Sequence, residues 1–296
     1  MRAFLAAMIP MTLFSAADFP IDHVTVAGAN LHKLQADLEA VGLSTVYGGP
    51  HRDQTTEMAM VSFPDGSYLE LIAPQPHADG RLVAQHVWSK FLRGGDGPCA
   101  WALRAPDLAA DVRRLKSAGI AVSDPAANGR ERPDGVRLDW ETANIGTAAR
   151  GAFFPFLIHD VTARDLRAFP QGQAGNRDFQ GVTRIVIAVR SLEQSIAQYR
   201  KAFGLPEAIE QTDTAFGAKL ATWHGSPVVL AQPLTAQSWL AARLELVGEA
   251  PCAFVLGAIQ LDRYRADSHS RWFDIDLYWF DISRLGWRLG FEKLQR

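Results

Sequence analysis

The chain carries the stretch PCAWALRAPDL, which begins at Pro98, and a near copy of it, PCAFVLGAIQL, which begins at Pro251. A second pair of similar stretches begins at Ile21 (IDHVTVAGANL) and at Val182 (VTRIVIAVRSL). The two separations, 251 − 98 and 182 − 21 residues, are nearly equal. Repetition at one spacing indicates that the first half of the chain is duplicated in the second half.

Each half is itself predicted to be double, because a strand, a turn and an amphipathic helix recur along the chain. Three segments place apolar residues at steps of three, four and seven, and therefore on one helical face: Leu31, Leu34, Leu38 and Val41; Leu108, Val112 and Leu115; and Leu192, Ile196, Tyr199 and Phe203. A polar N-cap residue precedes each helix and a glycine follows it: Asn30 and Gly42, Asp107 and Gly119, and Ser191 and Gly204. The fourth segment, from Leu261 onward, is degraded, with Trp272 where the glycine is expected.

Short strands follow the predicted helices. In the first segment, MAMVSF and SYLELIAP flank a turn at residues 64–66. The repeated unit is therefore a strand, a helix and three strands, which predicts an α+β fold of four tandem βαβββ modules in two halves. We expect a first half over 18–167 and a degenerate second half over 181–296. A polar linker rich in glycine and glutamine is expected to join them over 168–180.

Composition restricts the class of protein. The 296 residues are 48% hydrophobic, which is ordinary for a globular chain. Thirty basic and 32 acidic residues give a net charge of −2, so charge provides no case for a nucleic acid or an anionic membrane as partner. Two cysteines exclude a disulfide framework and a cysteine-rich metal site. The sequence also lacks an apolar run of about 18 residues, so no membrane span is expected.

Residues 1–17, MRAFLAAMIPMTLFSAA, have the features of an export signal. Arg2 supplies a positive start, residues 4–14 are largely apolar, and Ser15 and Ala17 suit a cleavage site for small residues. This interpretation predicts a periplasmic or secreted protein. The alternative is an apolar extension that packs on the first half, which would suit a cytoplasmic protein.

The first half resembles the glyoxalase-like domain family of the vicinal oxygen chelate superfamily, a group that includes glyoxalase I, extradiol dioxygenases and bleomycin-resistance proteins. The matching stretches lie over roughly 20–160 and are IDHVTVAGANL, the GGPH loop at 48–51, DGSYLELIAP, WALRAPDL, RPDGVRLDW and FFPFLIH. The second half resembles the superfamily in plan only. The resemblance implies paired modules whose curved mixed sheets surround a cavity, with ligands of any metal on the first and last strands of the modules.

The same resemblance singles out His23 and Glu70. His23 stands where the family has a metal-binding histidine, and Glu70 lies in the last strand of the same module. Strand alternation puts His23 on one face with Thr25, and Glu70 on one face with Tyr68. A buried carboxylate inside YLELIA needs a partner, and either His23 or a divalent ion (Zn, Fe, Mn or Ni) would serve. We therefore expect His23 and Glu70 as metal ligands, Glu70 as a catalytic group, and Thr25 and Tyr68 as substrate contacts.

The other modules offer few further ligands, because the positions that correspond to His23 are Ala100, Arg184 and Ala253. His51, in the GGPH loop, and His159 are the candidate additions that would line the cavity. Arg130 and Arg132 precede a turn at residues 134–135, where Arg132 would contact an anionic substrate at the cavity mouth. Plain loop histidines and solvated hairpin arginines are the alternatives for these residues.

Three classes of function stay open at this point. In the first, a divalent metal on His23 and Glu70 polarises the adjacent oxygens of a small molecule in a lyase, isomerase or dioxygenase reaction. Glu70 acting as a general base beside a carbonyl is a variant of that enzyme. In the second, the protein is a metal-free binder of a small molecule, of the bleomycin-resistance type. In the third, side chains fill the cavity and the domain is structural. A homodimer is compatible with each of them.

Overall fold

The computed structural model describes residues 20–51, 54–280, 285 and 287–294, so the predicted export signal at 1–17 lies outside the described residues. The predicted fold class is confirmed. The chain is an α+β protein whose strands form two curled mixed sheets of eight strands each. The two sheets have the same strand order, as expected for a duplicated chain.

The first sheet is built from two modules. The first module contains β1 (Ile21–Ala27), α1 (Leu31–Glu39), β2 (Val46–Pro50), β3 (Thr56–Ser62) and β4 (Tyr68–Pro74). Two short helices, α2 (Gly80–Gln85) and α3 (Ser89–Leu92), connect it to the second module. That module contains β5 (Gly97–Arg104), α4 (Leu108–Ser117), β6 (Ala126–Glu131), β7 (Arg137–Asn144) and β8 (Phe156–Asp160), and α5 (Arg164–Ala168) follows it.

The second sheet repeats this plan. The third module contains β9 (Phe179–Ala188), α6 (Leu192–Phe203), β10 (Ile209–Asp213), β11 (Ala218–Thr222) and β12 (Val228–Pro233), and it is followed by α7 (Trp239–Val247). The fourth contains β13 (Pro251–Ala258), β14 (Ser268–Trp272), β15 (Ile275–Trp279) and β16 (Arg288–Lys293). Residues 259–267 form turns in place of the expected helix, because the connection is too short to hold a helix and its two loops.

The strand order places the first strands of paired modules at the centre of each sheet. In the first sheet the order is β2-β3-β4-β1-β5-β8-β7-β6. Strand β1 pairs parallel with β4 and antiparallel with β5. The second sheet follows the order β10-β11-β12-β9-β13-β16-β15-β14. The last strand of each module therefore lies beside its first strand, which in the first module brings residues 45 positions apart into direct contact.

The punctuation predicted for the helices is confirmed. The side chains of Asn30 and Asp107 accept hydrogen bonds from backbone N–H groups in the first turns of α1 and α4, each at 2.9 Å. Ser191 does the same for α6 at 3.3 Å. Gly204 ends α6 with a φ of 65°, the left-handed conformation that glycine adopts without strain.

Alternation along β1 divides its side chains between the core and a cavity. Val24 and Val26 are fully buried and share a hydrophobic core with Leu34 and Leu38 of α1. The same core continues into the second half, where Tyr199 of α6 donates a hydrogen bond from its hydroxyl to the carbonyl of Phe153 at 2.5 Å. The two halves are thus joined by shared packing. Within the described part of the chain, every helix is too short or too polar to traverse a bilayer.

Candidate functional site

A cavity of about 320 Å³ lies inside the curl of the first sheet. Its walls come from both modules of the first half, with β1, β3 and β4 on one side and β6, β7 and β8 on the other. Four of the predicted site residues line it, namely His23, His51, Tyr68 and Glu70. Apolar and aromatic side chains, among them Trp88, Trp140 and Phe156, form much of the remaining surface. The lining therefore combines an apolar surface with converging charged and polar side chains, a combination that suits a small-molecule site.

Parallel pairing of β1 with β4 brings the two predicted key residues together. The register sets His23 opposite Tyr68 and Thr25 opposite Glu70. Thr25 donates a hydrogen bond from its hydroxyl to Oε2 of Glu70 at 3.1 Å. Nε2 of His23 lies 3.7 Å from the same Oε2 atom, which is longer than a direct hydrogen bond. The expected proximity of His23 and Glu70 is therefore present, and Thr25, predicted as a substrate contact, lies behind Glu70 and does not line the cavity.

Asp22 fixes the imidazole of His23 from behind. Consecutive strand residues normally point to opposite faces, but the pairing of β1 with β5 shifts register between Ile21 and His23. This irregularity lets Oδ1 of Asp22 approach Nδ1 of His23 to 2.6 Å. A carboxylate can only accept, so Nδ1 carries the proton, and a neutral imidazole then presents Nε2 to the cavity as an acceptor.

Asp22 belongs to a largely buried ion cluster that adjoins the cavity through Arg167. Arg167 donates from Nη1 and Nη2 to the two carboxylate oxygens of Asp22, both at 2.9 Å, and from Nε to Asp160 at 2.6 Å. Arg164 also donates to Asp22 and Asp160. Burial alone would raise the pKa of Asp22, yet Arg167 and the hydrogen bond from His23 hold it well below the ordinary value. Asp22 is therefore a permanent anion at neutral pH.

Tyr68 joins the ion cluster to the histidine. Its ring stacks on the imidazole of His23, with centroids 4.8 Å apart and planes inclined by 13°. Its hydroxyl accepts a hydrogen bond from Nη1 of Arg167 at 2.5 Å. Burial is the main cause that raises the pKa of Tyr68, so the phenol keeps its proton. Tyr68 thus holds the imidazole plane, in addition to lining the cavity as predicted.

The opposite wall carries two arginines. Arg130 of β6 is buried and donates from Nη1 to the carbonyl of Gly48 at 2.9 Å. Arg150, in the loop between β7 and β8, lies over the ring of Phe156 with 4.1 Å between its guanidinium carbon and the ring centroid. Burial lowers the pKa of both guanidinium groups, and the charge of Glu70 partly offsets that effect. The cavity therefore has a carboxylate on one wall and positive charge on the other.

The predicted residues outside strands β1 and β4 have different surroundings. His51 lines the cavity, with its Nδ1 atom 2.7 Å from the hydroxyl oxygen of Thr56. Arg132 lies beyond the end of β6, where its guanidinium donates to the carbonyl of Leu166 at 3.1 Å and not into the cavity. The imidazole of His159 lies 3.1 Å from the carbonyl of Ala105 and does not line the cavity either.

Strand alternation already indicated that His159 faces away from the cavity. Phe156 and Ile158 of the same strand line the cavity, and His159 lies on the opposite face. Arg132 is replaced at the cavity by Arg130, two residues earlier and still within β6. Asp22, Arg150 and Arg167 were missed. Asp22 had one signal, its position beside His23, but a strand pattern assigns neighbours to opposite faces.

The donor set does not fit a resident divalent metal. Within the described residues no group of three or more His, Cys, Asp or Glu side chains has the arrangement to hold an ion. His23 and Glu70 supply two donors, whereas a protein site for zinc normally uses at least three. The corresponding wall of the second module carries Ala100 and Phe156, which have no donor atoms. Arg130 and Arg150 would also repel a cation.

In the described part of the second sheet, aromatic side chains take the place of the polar groups that line the first-half cavity. A buried cluster that includes Phe216, Trp272 and Trp279 occupies its inner face, with Trp279 5.2 Å from each of the other two rings. Arg288 stacks on Phe216, with 4.6 Å between its guanidinium carbon and the ring centroid. Trp272, Trp279 and Phe280 of the aromatic run at residues 272–280 are thus part of the core. Arg184, which replaces the metal-type histidine here, pairs with Glu292 at 3.1 Å.

A family model described as a glyoxalase-like domain matches residues 21–203, which is more than half of the chain. The chain therefore belongs to the glyoxalase-like domain family, within the vicinal oxygen chelate superfamily. The match extends beyond the first half to include β9 and α6 of the second. No curated protein matches the chain.

Solved structures share the whole fold at low sequence identity. A hypothetical protein from Staphylococcus aureus is 15% identical, with a TM-score of 0.65 over 93% of this chain and 100% of that one. A mutant of 4-hydroxymandelate synthase from Streptomyces coelicolor is 11% identical, with a TM-score of 0.60 over 93% of this chain and 92% of that one. A fusion of a xylose isomerase-like TIM barrel with a 4-hydroxyphenylpyruvate dioxygenase is 11% identical, with a TM-score of 0.57 over 99% of this chain and 51% of that one. These likenesses show the fold alone.

Proposed function

We propose that the first-half cavity binds a small oxygen-bearing molecule and that Glu70 moves a proton at a carbon beside a carbonyl, without a resident metal. The observation that carries this proposal is the position of Glu70. Its Oε2 atom faces the cavity beside Nε2 of His23 at 3.7 Å and the hydroxyl of Thr25 at 3.1 Å. A carboxylate held by neighbours on one side and open to a ligand on the other suits a general base.

The proposed step uses only groups that line the cavity. Glu70 removes the proton, the C–H bond breaks, and its electron pair moves onto the carbonyl oxygen to give an enolate. The positive charge of Arg130 and Arg150 on the opposite wall favours that oxyanion. Nε2 of His23, an acceptor while Nδ1 donates to Asp22, can take the proton from Glu70 or return it.

The divalent-metal-assisted reaction expected from the sequence is the second candidate, a lyase, isomerase or dioxygenase of the same superfamily. One observation favours it. His23 and Glu70 lie side by side in the cavity, and Asp22 binds Nδ1 of His23. A carboxylate bound to Nδ1 is common in histidines that bind a metal through Nε2. The two-donor set and the nearby arginines favour the metal-independent proposal over it.

The proposal can be tested by hydrogen exchange. Chelator-treated protein is incubated with pyruvate in D2O, and loss of the methyl signal is followed by ¹H NMR. Pyruvate is the probe because its methyl protons are acidified by the adjacent carbonyl. We expect Glu70→Gln to slow the protein-catalysed exchange at least about 100-fold, the usual contribution of a general base. Addition of Zn²⁺, Mn²⁺ or Ni²⁺ is expected to leave the wild-type rate unchanged.

Glu57→Gln is the matched control, since Glu57 is a carboxylate on the adjacent strand β3 that does not line the cavity and instead accepts from the hydroxyl of Tyr47 at 3.0 Å. Its exchange rate should equal that of the wild type. Exchange that is equally fast in Glu70→Gln, or that depends on added metal, would contradict the proposal. Binding of pyruvate without any catalysed exchange would identify a binder of the bleomycin-resistance type instead.

A further inference from the structure

The backbone holds Arg150 in place. Gly151 has a φ of 69°, and a Cβ atom at that position would lie 2.7 Å from Cβ of Ala100, so the loop can approach β5 this closely because residue 151 is glycine. The carbonyl of Gly151 accepts from the backbone N–H of Trp101 at 3.0 Å. The indole of Trp88 donates to the carbonyl of Arg150 at 3.3 Å. Arg150 is therefore part of a fixed wall of the cavity.

The guanidinium of Arg150 has an unused hydrogen-bond donor. Its Nε atom is buried and, among the described residues, has no hydrogen-bond partner. The ring of Phe156 supports one face of the group at 4.1 Å. Buried donors in folded proteins are normally satisfied, so an unpaired Nε on a half-buried arginine that lines a cavity points to a ligand that supplies the acceptor. The planar fork of a guanidinium matches the two oxygens of a carboxylate.

The net charge of the cavity lining also indicates an anionic ligand. Arg167 is neutralised by Asp22 and Asp160, which are themselves shared with Arg164. Among the described lining residues, this leaves Arg130 and Arg150 against the one carboxylate of Glu70, an excess of one positive charge when the histidines are neutral. A ligand with a single negative charge would complete the balance in a site partly shielded from water.

We propose that the ligand of this cavity is a monocarboxylate whose carboxylate binds Arg150 while its apolar part packs on the aromatic side chains of the walls. This inference rests on the proposed function in one respect, the assignment of the cavity as the ligand site. It adds the class of ligand and the residue that selects it. Trp88, Trp140 and Phe156 offer the apolar surface.

The test compares benzoate with benzamide, which has nearly the same shape and no charge, by isothermal titration calorimetry. We expect saturable binding of benzoate and at least about 10-fold weaker binding of benzamide to the wild type. Arg150→Met is expected to weaken benzoate binding by about 10- to 100-fold, the value of a charge-assisted pair of hydrogen bonds, and to leave benzamide binding unchanged. Arg150→Lys keeps the positive charge without the planar fork of the guanidinium, so it should lose less benzoate affinity than Arg150→Met.

Arg113→Met is the matched control, because Arg113 is an exposed arginine on α4 that does not line the cavity. Its benzoate affinity should stay within about twofold of wild type. Near-ultraviolet circular dichroism checks that each variant is folded. If Arg150→Met does not fold, the preference of the wild type for benzoate and the partial loss in Arg150→Lys still decide the matter.

Equal affinity for benzoate and benzamide, full benzoate affinity in Arg150→Met, or a benzoate dissociation constant weaker than about 10 mM for the wild type would overturn this inference. The two proposals fail in different ways. If benzoate selectivity is absent while pyruvate exchange depends on Glu70, the monocarboxylate assignment is wrong and the proposed function stands. If exchange is independent of Glu70 while selectivity depends on Arg150, the reverse holds.

Discussion

Replacement of Asp22 with asparagine tests the role of the buried ion cluster. The substitution keeps the size of the side chain and removes its charge. In the native protein Asp22 is fully buried, accepts two hydrogen bonds from Arg167 and one from Nδ1 of His23, and contacts Arg164. In the variant, Asp160 alone is left to compensate the two arginines, and the asparagine amide no longer fixes the imidazole tautomer.

The expected loss of stability follows from this arrangement. Removal of one partner from a buried ion pair costs about 3–5 kcal/mol, because the charge left behind stays buried. Asp160 remains bound to Arg167 at 2.6 Å, so the lower end of that range applies. We expect Asp22→Asn to lower the free energy of unfolding by about 3 kcal/mol at neutral pH.

The loss should depend on pH in a definite direction. The pKa of Asp22 in the folded protein lies well below its ordinary value because Arg167 and His23 outweigh the effect of burial. Its charge therefore stabilises the fold above the unfolded pKa of about 4, and that contribution is lost as the pH falls through the lower, folded pKa. The stability difference between wild type and Asp22→Asn should shrink as the pH is taken below about 4.

Urea denaturation followed by tryptophan fluorescence at neutral and acidic pH measures both effects. Asp178→Asn is the matched control, since both oxygens of Asp178 lie 2.9 Å from Arg263 but the pair is exposed. Exposed pairs contribute little to stability, so this variant should unfold much like the wild type. Equal losses in the two variants, or a loss in Asp22→Asn that does not change with pH, would refute the reasoning.

Three other substitutions have expected outcomes: thermal denaturation measures the stability of the first two, and calorimetry measures the benzoate affinity of the third. Tyr199→Phe removes the hydroxyl that donates to the carbonyl of Phe153 between the halves, and it should cost about 1 kcal/mol; an unchanged melting temperature would contradict this. Trp279→Ala opens the aromatic core of the second half, in which Trp279 is 2% exposed, and should cost about 3–5 kcal/mol. A loss below about 1 kcal/mol would mean that the inner face of the second sheet is loosely packed. His159→Ala should keep benzoate affinity within about twofold because the imidazole faces the carbonyl of Ala105, and a larger loss would place His159 at the ligand.

The fold was predictable because its signals are local and repeated. The N-caps Asn30, Asp107 and Ser191 each act within one helical turn, and the pattern of the strands states which residues share a face. His23 and Glu70 also follow from the sequence. Once the first and last strands of a module pair in parallel, residues on the same face of both strands must meet.

The rest of the site depends on tertiary contacts between distant parts of the chain, which no local sequence pattern predicts. Asp22 reaches His23 because of a register irregularity in β1, which strand alternation cannot predict. Arg150 lies in a loop whose position is decided by contact with β5, and the only sequence signal was the following Gly151. Arg167 sits on a short helix in the last residues assigned to the first half, and its partners Asp22 and Asp160 are far apart in the sequence from one another.

The metal-independent role of Glu70 and His23 is tested most directly by the metal content of protein purified without chelators. Elemental analysis of the wild type, His23→Ala and Glu70→Gln gives moles of zinc, iron, manganese and nickel per mole of chain. The two-donor site predicts far less than one equivalent of metal in the wild type, with no change in either variant. One equivalent of a single metal that is lost in both variants would contradict the account.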